Sequence, residues 1–278
     1  MDMEELFMDN NELKGHALNI RRNIVQMVYD AQSGHPGGSL GCADILTYLY
    51  FKEMDINEYN VDTLNRDRFV LSKGHCSPAL YAALKERGLL EDDLKTFRQI
   101  DSNLQGHPNM NYVAGVDMST GSLGQGVSTA VGMAIANKLD KNGKRVYTLV
   151  GDGESEEGIV WEAMMAACHY ELDNLVIIFD VNGLQIDGDV QEVIGPLPLK
   201  EKAEAFGAFV EEIDGHDFDQ LKAAFDKARE NKGKPTVIVA HTVKGKGVSF
   251  MEGDYGWHGK APNEEQYKVA MEDLKEVR

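Results

Sequence analysis

The chain has 278 residues, is 42% hydrophobic and carries a formal net charge of −18, enough apolar material for one large domain over residues 1–278. That acidic surplus excludes a nucleic-acid or anionic-membrane surface, which needs Lys and Arg to neutralise phosphates. No apolar run reaches membrane-spanning length, the acidic start from Met1 to Phe7 has no signal-peptide core, and Cys42, Cys76 and Cys168 show no C-x-x-C spacing, so the expectation is a soluble cytoplasmic protein with reduced core thiols.

Apolar Leu13, Ala17, Ile20, Ile24, Met27 and Val28 recur at helical spacing and predict a first helix over 11–31. It leads into Ser33 to Gly41, so rich in glycine that it reads as an irregular loop, and then into a helix from Asp44 toward Met54. A short strand follows over Arg68 to Ser72, then Lys73-Gly74-His75 and a helix through Tyr81 and Leu84. Thr120 to Gly126 is another glycine loop, opening a helix whose Ala130, Ala134 and Ala136 permit close packing. Arg145 to Val150 and Asn174 to Asp180 read as buried strands around a helix from Gly158 to Tyr170, a βαβ unit. Gly195 to Leu199 reads as a loop within the domain. Strands at Ala208 to Ile213 and Thr236 to His241 flank a helix from Phe218 to Glu230, and a charged helix runs from Glu264 to Arg278. The alternation predicts an α/β fold, a doubly wound, largely parallel sheet with helices on both faces.

The βαβ unit carries the most informative spacing. Asp152 in Gly151-Asp152-Gly153 and Asn182 in Val181-Asn182-Gly183 lie 30 residues apart. A right-handed crossover makes the two strands parallel, so both residues fall just past strand carboxyl ends, where open α/β sheets bind ligands. Mg²⁺ takes hard oxygen ligands and keeps phosphate and water among them. Asp152, Asn182 and a backbone carbonyl near Leu184 therefore predict a metal-held diphosphate. A bare Gly-Asp-Gly often makes only a strand-ending turn; the spaced Asn and the intervening βαβ unit single this one out.

Four histidines sit in glycine-bounded loops: His35, His75, His107 and His258. A single loop histidine is usually a turn residue, but four in similar settings around a diphosphate offer hydrogen bonds and proton transfer to substrate hydroxyls near neutral pH. His16, His169, His216 and His241 read as structural.

With these motifs in place, Ser33 to Asp44, Lys73-Gly74-His75, Gly106-His107-Pro108, Thr120 to Gly126, Gly151 to Gly153 with Glu157-Gly158, Asn182, and His258-Gly259, nearly the whole chain resembles the N-terminal, diphosphate-binding half of a transketolase, a thiamine-diphosphate enzyme. The resemblance implies that Asp152, Asn182 and the Leu184 carbonyl bind Mg²⁺, with Ca²⁺ or Mn²⁺ able to replace it. It places Gly153, Glu154, His75, His258 and Asn182 with the cofactor, Gly121 and Leu123 beside its aminopyrimidine and Ile186 on its thiazolium. His107 would hold the donor sugar, and His35 with His258 would handle the hydroxyl proton that leaves during carbon–carbon cleavage. Glu157 matches a carboxylate linking paired active sites, or is simply a charge at a helix N-terminus. Lys244, where transketolases often have an apolar residue, either touches the diphosphate or is a solvated lysine in a basic turn.

The resemblance further implies that the pyrimidine-binding and C-terminal domains, with the glutamate that activates the cofactor, lie on a separate chain. The expected assembly is a split transketolase with two copies of each subunit, moving a two-carbon ketol unit between sugar phosphates in the pentose phosphate pathway. A deoxyxylulose-phosphate synthase-like or unusual-pentulose enzyme, and a non-catalytic cofactor-binding module, are the alternatives.

Overall fold

The computed structural model describes residues 8–276. The acidic stretch Met1 to Phe7 and the end of the expected C-terminal helix, Val277 and Arg278, lie outside the described residues. Five strands, β1 (Arg68–Leu71), β2 (Val146–Gly151), β3 (Leu175–Val181), β6 (Phe209–Asp214) and β7 (Thr236–His241), form one sheet in the order β1-β2-β3-β7-β6. Every pairing in it is parallel. Strand β3 is buried along its whole length, which is why it reads as a continuous apolar run rather than an alternating one.

The winding follows from the reversal of strand order. The chain steps from β1 to β2 to β3 in one direction, jumps to β6 at the far edge and returns to β7; right-handed crossovers running in opposite directions place helices on opposite faces. One face carries α1 (Asn10–Ala31), α2 (Pro36–Gly41), α3 (Ala43–Tyr48), α4 (Ser77–Glu86), α9 (Phe218–Glu230) and α10 (Glu264–Asp273), packed on Phe69, Leu71, Tyr147, Leu149, Ile178 and Ile238. The other carries α5 (Gln125–Asp140), α6 (Gly158–His169) and α8 (Leu199–Phe206), packed on Val70, Val146, Val150, Ile177, Phe179 and Val239. Odd and even residues of each strand thus feed separate cores. Between β3 and α8 lie a small hairpin, β4 (Leu184–Gln185) with β5 (Gly188–Asp189), and the single turn α7 (Val190–Val193), none of which the apolar pattern signalled.

Several expectations are corrected. The glycine-rich stretch is not wholly irregular: Pro36 opens helix α2 at its first position, where a missing N–H costs nothing. Its glycines serve close packing, since a Cβ on Gly37 would sit 2.8 Å from the Trp257 carbonyl oxygen and one on Gly38 2.9 Å from Cys76 Sγ. Helix α3 widens into a π-helical turn over Leu49–Glu53, and α10 stops at Asp273. Cys42 and Cys76 are buried, but Cys168, near the end of α6, is only half-buried. No helix among the described residues is long and apolar enough to cross a membrane.

Candidate active site

The carboxyl ends of β1, β2 and β3 and the loops beyond β7 frame a cleft of about 250 Å³. Gly151 pairs with Asp180 and Val181 with His241, so the strands finish at one level and the residues after each open on a common space. The segment after β1 delivers Lys73 and His75, the turn after β2 Asp152, Gly153 and Glu154, the turn after β3 Asn182, Leu184 and Ile186, and the loops after β7 Lys244 and His258. His35 enters from the start of α2, and His107, Gly121 and Leu123 from the loops before α5. Every residue nominated from the sequence lines this cleft except Glu157, which stands exposed at the N-cap of α6.

One wall offers oxygen. Asp152 is 2% exposed and accepts the Gly153 N–H at 2.8 Å and the Gly183 N–H at 2.6 Å, one on each carboxylate oxygen. Burial, and then the neighbouring Asp180, push its carboxyl above the usual range, a cost that a bound cation would reverse. Asn182 Oδ1 accepts the Leu184 N–H at 3.2 Å, and the Leu184 carbonyl accepts Lys244 Nζ at 2.8 Å. Among the described residues no group of three or more His, Cys, Asp or Glu is arranged around a metal position. A carboxylate, an amide and a peptide carbonyl remain as the hard-oxygen donors, a set that suits Mg²⁺ completed by phosphate and water.

The floor offers cations. Lys73 is 2% exposed and paired with Asp180, which also accepts the Thr242 hydroxyl; burial opposes its charge, but Asp180 keeps it protonated. Lys244 is 3% exposed, which sets aside the solvated-lysine reading. Its hydrogen bond goes to a neutral carbonyl, and burial, with Lys73 second, lowers its pKa. A buried ammonium facing a neutral acceptor is an unfavourable arrangement that an anionic ligand relieves. In a chain of charge −18, Lys244 is a local cation that an anion can meet.

The roof is imidazole. Ring centroids of His35, His75 and His258 lie 5.1 to 5.4 Å apart, and His107 lies 6.3 Å from His35. Burial, then His75, lowers His35 to about 4; burial, then Lys244, lowers His258 to about 3. Burial, then His75 and Arg98, lower His107 as well. Among the described residues, the Nδ1 atoms of His35 and His258 are buried without a hydrogen-bond partner, and buried polar groups of that kind call for a ligand or water. Ser77 Oγ on the Gly106 carbonyl at 2.8 Å and Tyr81 Oη on the Gln105 carbonyl at 3.0 Å fix the loop bearing His107. Gly121 has φ +144°, and a Cβ there would lie 2.9 Å from His107 Cδ2, so only glycine lets the ring stand where it does.

Glu154 acts on the walls of the cleft. Its carboxylate accepts Ser72 Oγ at 2.5 Å, the Gly124 N–H at 2.8 Å and the Gly151 N–H at 3.0 Å, tying β1, β2 and the Gly121 loop together. Two side chains of the lining, those of Lys73 and Gln185, were not nominated from the sequence, although Lys73 stands in the motif Lys73-Gly74-His75. Lys73 follows a predicted strand as Asp152 does, so the strand-end argument would have found it. Gln185, which donates to Glu156 at 2.8 Å, carries no comparable signal. Of the histidines read as structural, His16 pairs with Glu86 at 2.9 Å and His241 with Glu212 at 2.8 Å, both outside the cleft.

A family described as transketolase, thiamine diphosphate binding domain, matches residues 14–275. The chain is 44% identical over 264 residues to the 6-deoxy-6-sulfo-D-fructose transketolase subunit SqwG of a Clostridium species, covering 95% of this chain and 96% of that one. It is 42% identical over 257 residues to an apulose-4-phosphate transketolase subunit of Phocaeicola vulgatus, covering 92% and 91%. The crystal structure of transketolase from Campylobacter jejuni superposes with a TM-score of 0.89 at 39% identity, over 96% of this chain and 43% of that one. The chain therefore spans nearly the whole of the two relatives named as subunits but less than half of that solved transketolase. Fold, cleft and likeness agree: the chain belongs to the transketolase family, as an N-terminal, thiamine-diphosphate-binding transketolase subunit.

Proposed function

We propose that this subunit, with Mg²⁺ and a partner chain, transfers a two-carbon ketol unit from a ketose phosphate to an aldose phosphate. The observation that carries the reading is the union, in one cleft, of an oxygen wall, a buried ammonium resting on a neutral carbonyl, and four convergent imidazoles. Cofactor storage alone would not need the imidazoles. Asp152, Asn182 and the Leu184 carbonyl would hold the metal; Lys244, His75, His258 and the Gly153 backbone would meet the diphosphate. Gly121, Leu123 and Ile186 would line the rings.

When bound, thiamine diphosphate supplies the nucleophilic carbon and the electron sink for carbon–carbon cleavage. This chain's residues move protons and orient sugar. His35 and His258, kept neutral by burial, are poised to take the proton of the donor hydroxyl as the bond breaks and to return it when the acceptor is joined. His107, at the open lip, would hold the donor's hydroxyls. The group that activates the pyrimidine is assigned to a partner chain, with two copies of each chain in the assembly; Ile186, 65% exposed, and Leu123, 36% exposed, at the cleft are apolar surfaces such a partner would cover. Three free cysteines fit a reducing, cytoplasmic setting.

The test is thiamine-diphosphate-dependent transfer from xylulose 5-phosphate to ribose 5-phosphate by the tagged chain captured with its partner from native cells. Activity in the captured complex and its absence from the stripped chain would support the proposal. Inactivity despite a stoichiometric partner and bound cofactor would sink the pentose pair. Because the two relatives are named for 6-deoxy-6-sulfo-D-fructose and apulose 4-phosphate, those are the next donors to assay.

A further inference from the structure

His216 lies outside the catalytic cleft, in the turn that follows β6, where it borders a second hollow with Arg21 and Asp44. Its ring has two partners far apart in sequence. Nδ1 is 2.6 Å from Asp44 Oδ2, and Nε2 receives the Val243 N–H at 2.9 Å. A backbone N–H only donates, so Nε2 is bare and the ring proton sits on Nδ1, facing Asp44. Asp44 is fixed in turn by Arg21, whose Nη1 and Nη2 lie at 3.0 and 2.6 Å. Burial works against the Asp44 charge, but Arg21 and the His216 hydrogen bond outweigh it and hold the carboxyl down at about 2.

The position of Val243 explains why a side chain is needed there. Strand β7 pairs with β6 only as far as His241 opposite Asp214, after which Gly215 closes that ladder by donating to the His241 carbonyl at 2.8 Å. On the β3 side the ladder continues, with Thr242 donating to Val181 at 3.0 Å. The next N–H of the extended segment, that of Val243, has lost its neighbouring strand, and the imidazole stands in for the missing carbonyl. Two residues on, Gly245 donates to the Gly37 carbonyl at 2.8 Å, and Gly41 packs so closely that a Cβ there would lie 3.0 Å from the Val243 carbonyl oxygen. The segment that bears Lys244 is thus clamped between helix α2 and the His216 ring.

We propose that His216, oriented by Asp44 and Arg21, is a positioning residue that extends the β7 ladder by one rung and thereby aims Lys244 at the Leu184 carbonyl and the cofactor diphosphate. The inference rests on the reading of Lys244 as a diphosphate contact. It gives a purpose to a polar triad on the far side of the α2 packing from the chemistry, and it makes thiamine diphosphate affinity depend on a histidine that never touches the ligand.

A double-mutant cycle tests it, with thiamine diphosphate affinity measured calorimetrically in the native complex with Mg²⁺ present. His216→Phe is expected to weaken binding about fivefold and Lys244→Met about tenfold, as for a neutral and a charge-assisted hydrogen bond. The double variant is expected to bind no worse than Lys244→Met alone, because the ring acts through the lysine. His216→Gln, which can present an acceptor to Val243, should restore most of the affinity. Additive losses in the double variant, or wild-type affinity in His216→Phe, would overturn the positioning role while leaving Lys244 in place. An unaltered affinity in Lys244→Met would defeat the reading of the lysine and the inference with it. Hydrogen exchange needs no variant and stands if His216→Phe does not fold: in the wild-type complex the Val243 amide should be protected like those of β7, and free exchange there would overturn the clamp.

Discussion

Lys244 Nζ lies 2.8 Å from the Leu184 carbonyl oxygen, so the cation carried past the end of β7 rests on the carbonyl nominated as a metal ligand past the end of β3. On the proposed reading a metal and this ammonium would address the same edge of the cleft, and a diphosphate laid across it would meet both. A carbonyl oxygen has two lone pairs and can serve both. Replacing Lys244 by Met should leave the fold intact and, in calorimetric titration, weaken thiamine diphosphate about tenfold, the value of a charge-assisted hydrogen bond. Wild-type affinity would remove Lys244 from the diphosphate site.

Asp152 has a different balance. Its carboxylate is buried, stands near Asp180 and is pushed toward protonation, so Asp152→Asn relieves a buried charge and keeps one acceptor for the Gly153 or Gly183 N–H. The cofactor-free variant should melt at or above the wild-type temperature while losing about a hundredfold in Mg²⁺-dependent cofactor affinity. Thermal melts with and without Mg²⁺ and thiamine diphosphate check both halves. A drop in apo stability together with normal ligand stabilisation would contradict the assignment.

His107 is held from behind by its loop and by Gly121, and its ring is open to the lip. His107→Ala should reduce ketol transfer about a hundredfold or more, the range of a lost acid–base or orienting group, while thiamine diphosphate affinity changes less than about threefold. Steady-state kinetics beside a binding titration separates the two. Equal losses in both would move His107 from substrate to cofactor.

The buried imidazoles set a pH dependence whose sign is fixed. His35 and His258 titrate near 4 and 3 in the folded chain, against 6.5 ordinarily, because burial disfavours imidazolium. Below 6.5 the unfolded chain takes up protons that the folded chain refuses, so the stability these rings leave intact above 6.5 is lost as pH falls toward 4 and 3. Melting temperature of the cofactor-free chain should fall from about pH 7 to about pH 5, and His258→Gln should flatten the fall. Identical pH profiles in the two proteins would contradict the buried, neutral state of His258.

Away from the cleft, Asp117 accepts Arg66 at 2.8 and 2.9 Å, Arg68 at 2.6 Å and the Phe69 N–H at 2.8 Å, covering the open edge of β1 where a strand partner is missing. Its side chain is 1% exposed. Asp117→Ala leaves the Arg66 guanidinium buried without its carboxylate and should cost about 3–5 kcal/mol in urea unfolding. Asp117→Asn keeps one acceptor and should cost less. A loss under about 1 kcal/mol for the alanine variant would mean that water or another carboxylate replaces Asp117.

The sequence by itself determined the doubly wound parallel sheet and most of the residues that line the cleft. Strands such as Leu175–Val181, buried on both faces, must be continuously apolar, and residues just past parallel strands must share one edge, so Asp152 and Asn182 were legible from strand ends; the four loop histidines stood out by their glycine-bounded settings, and Lys244 came only with the family resemblance. Glycine content misled at Ser33 to Gly41, because in α2 glycine serves close approach to Trp257 and Cys76 rather than freedom of the backbone. Only the tertiary structure decided that Lys244 is buried against Leu184, that the Glu154 carboxylate ties three walls together, and that His216 bridges Asp44 to Val243. Each of these joins residues from 27 to 172 positions apart, Glu154 and the neighbouring Gly151 excepted. Spacing along a chain encodes periodicity and strand ends, but it does not encode which polar side chain is left to satisfy a backbone group where a neighbouring strand stops.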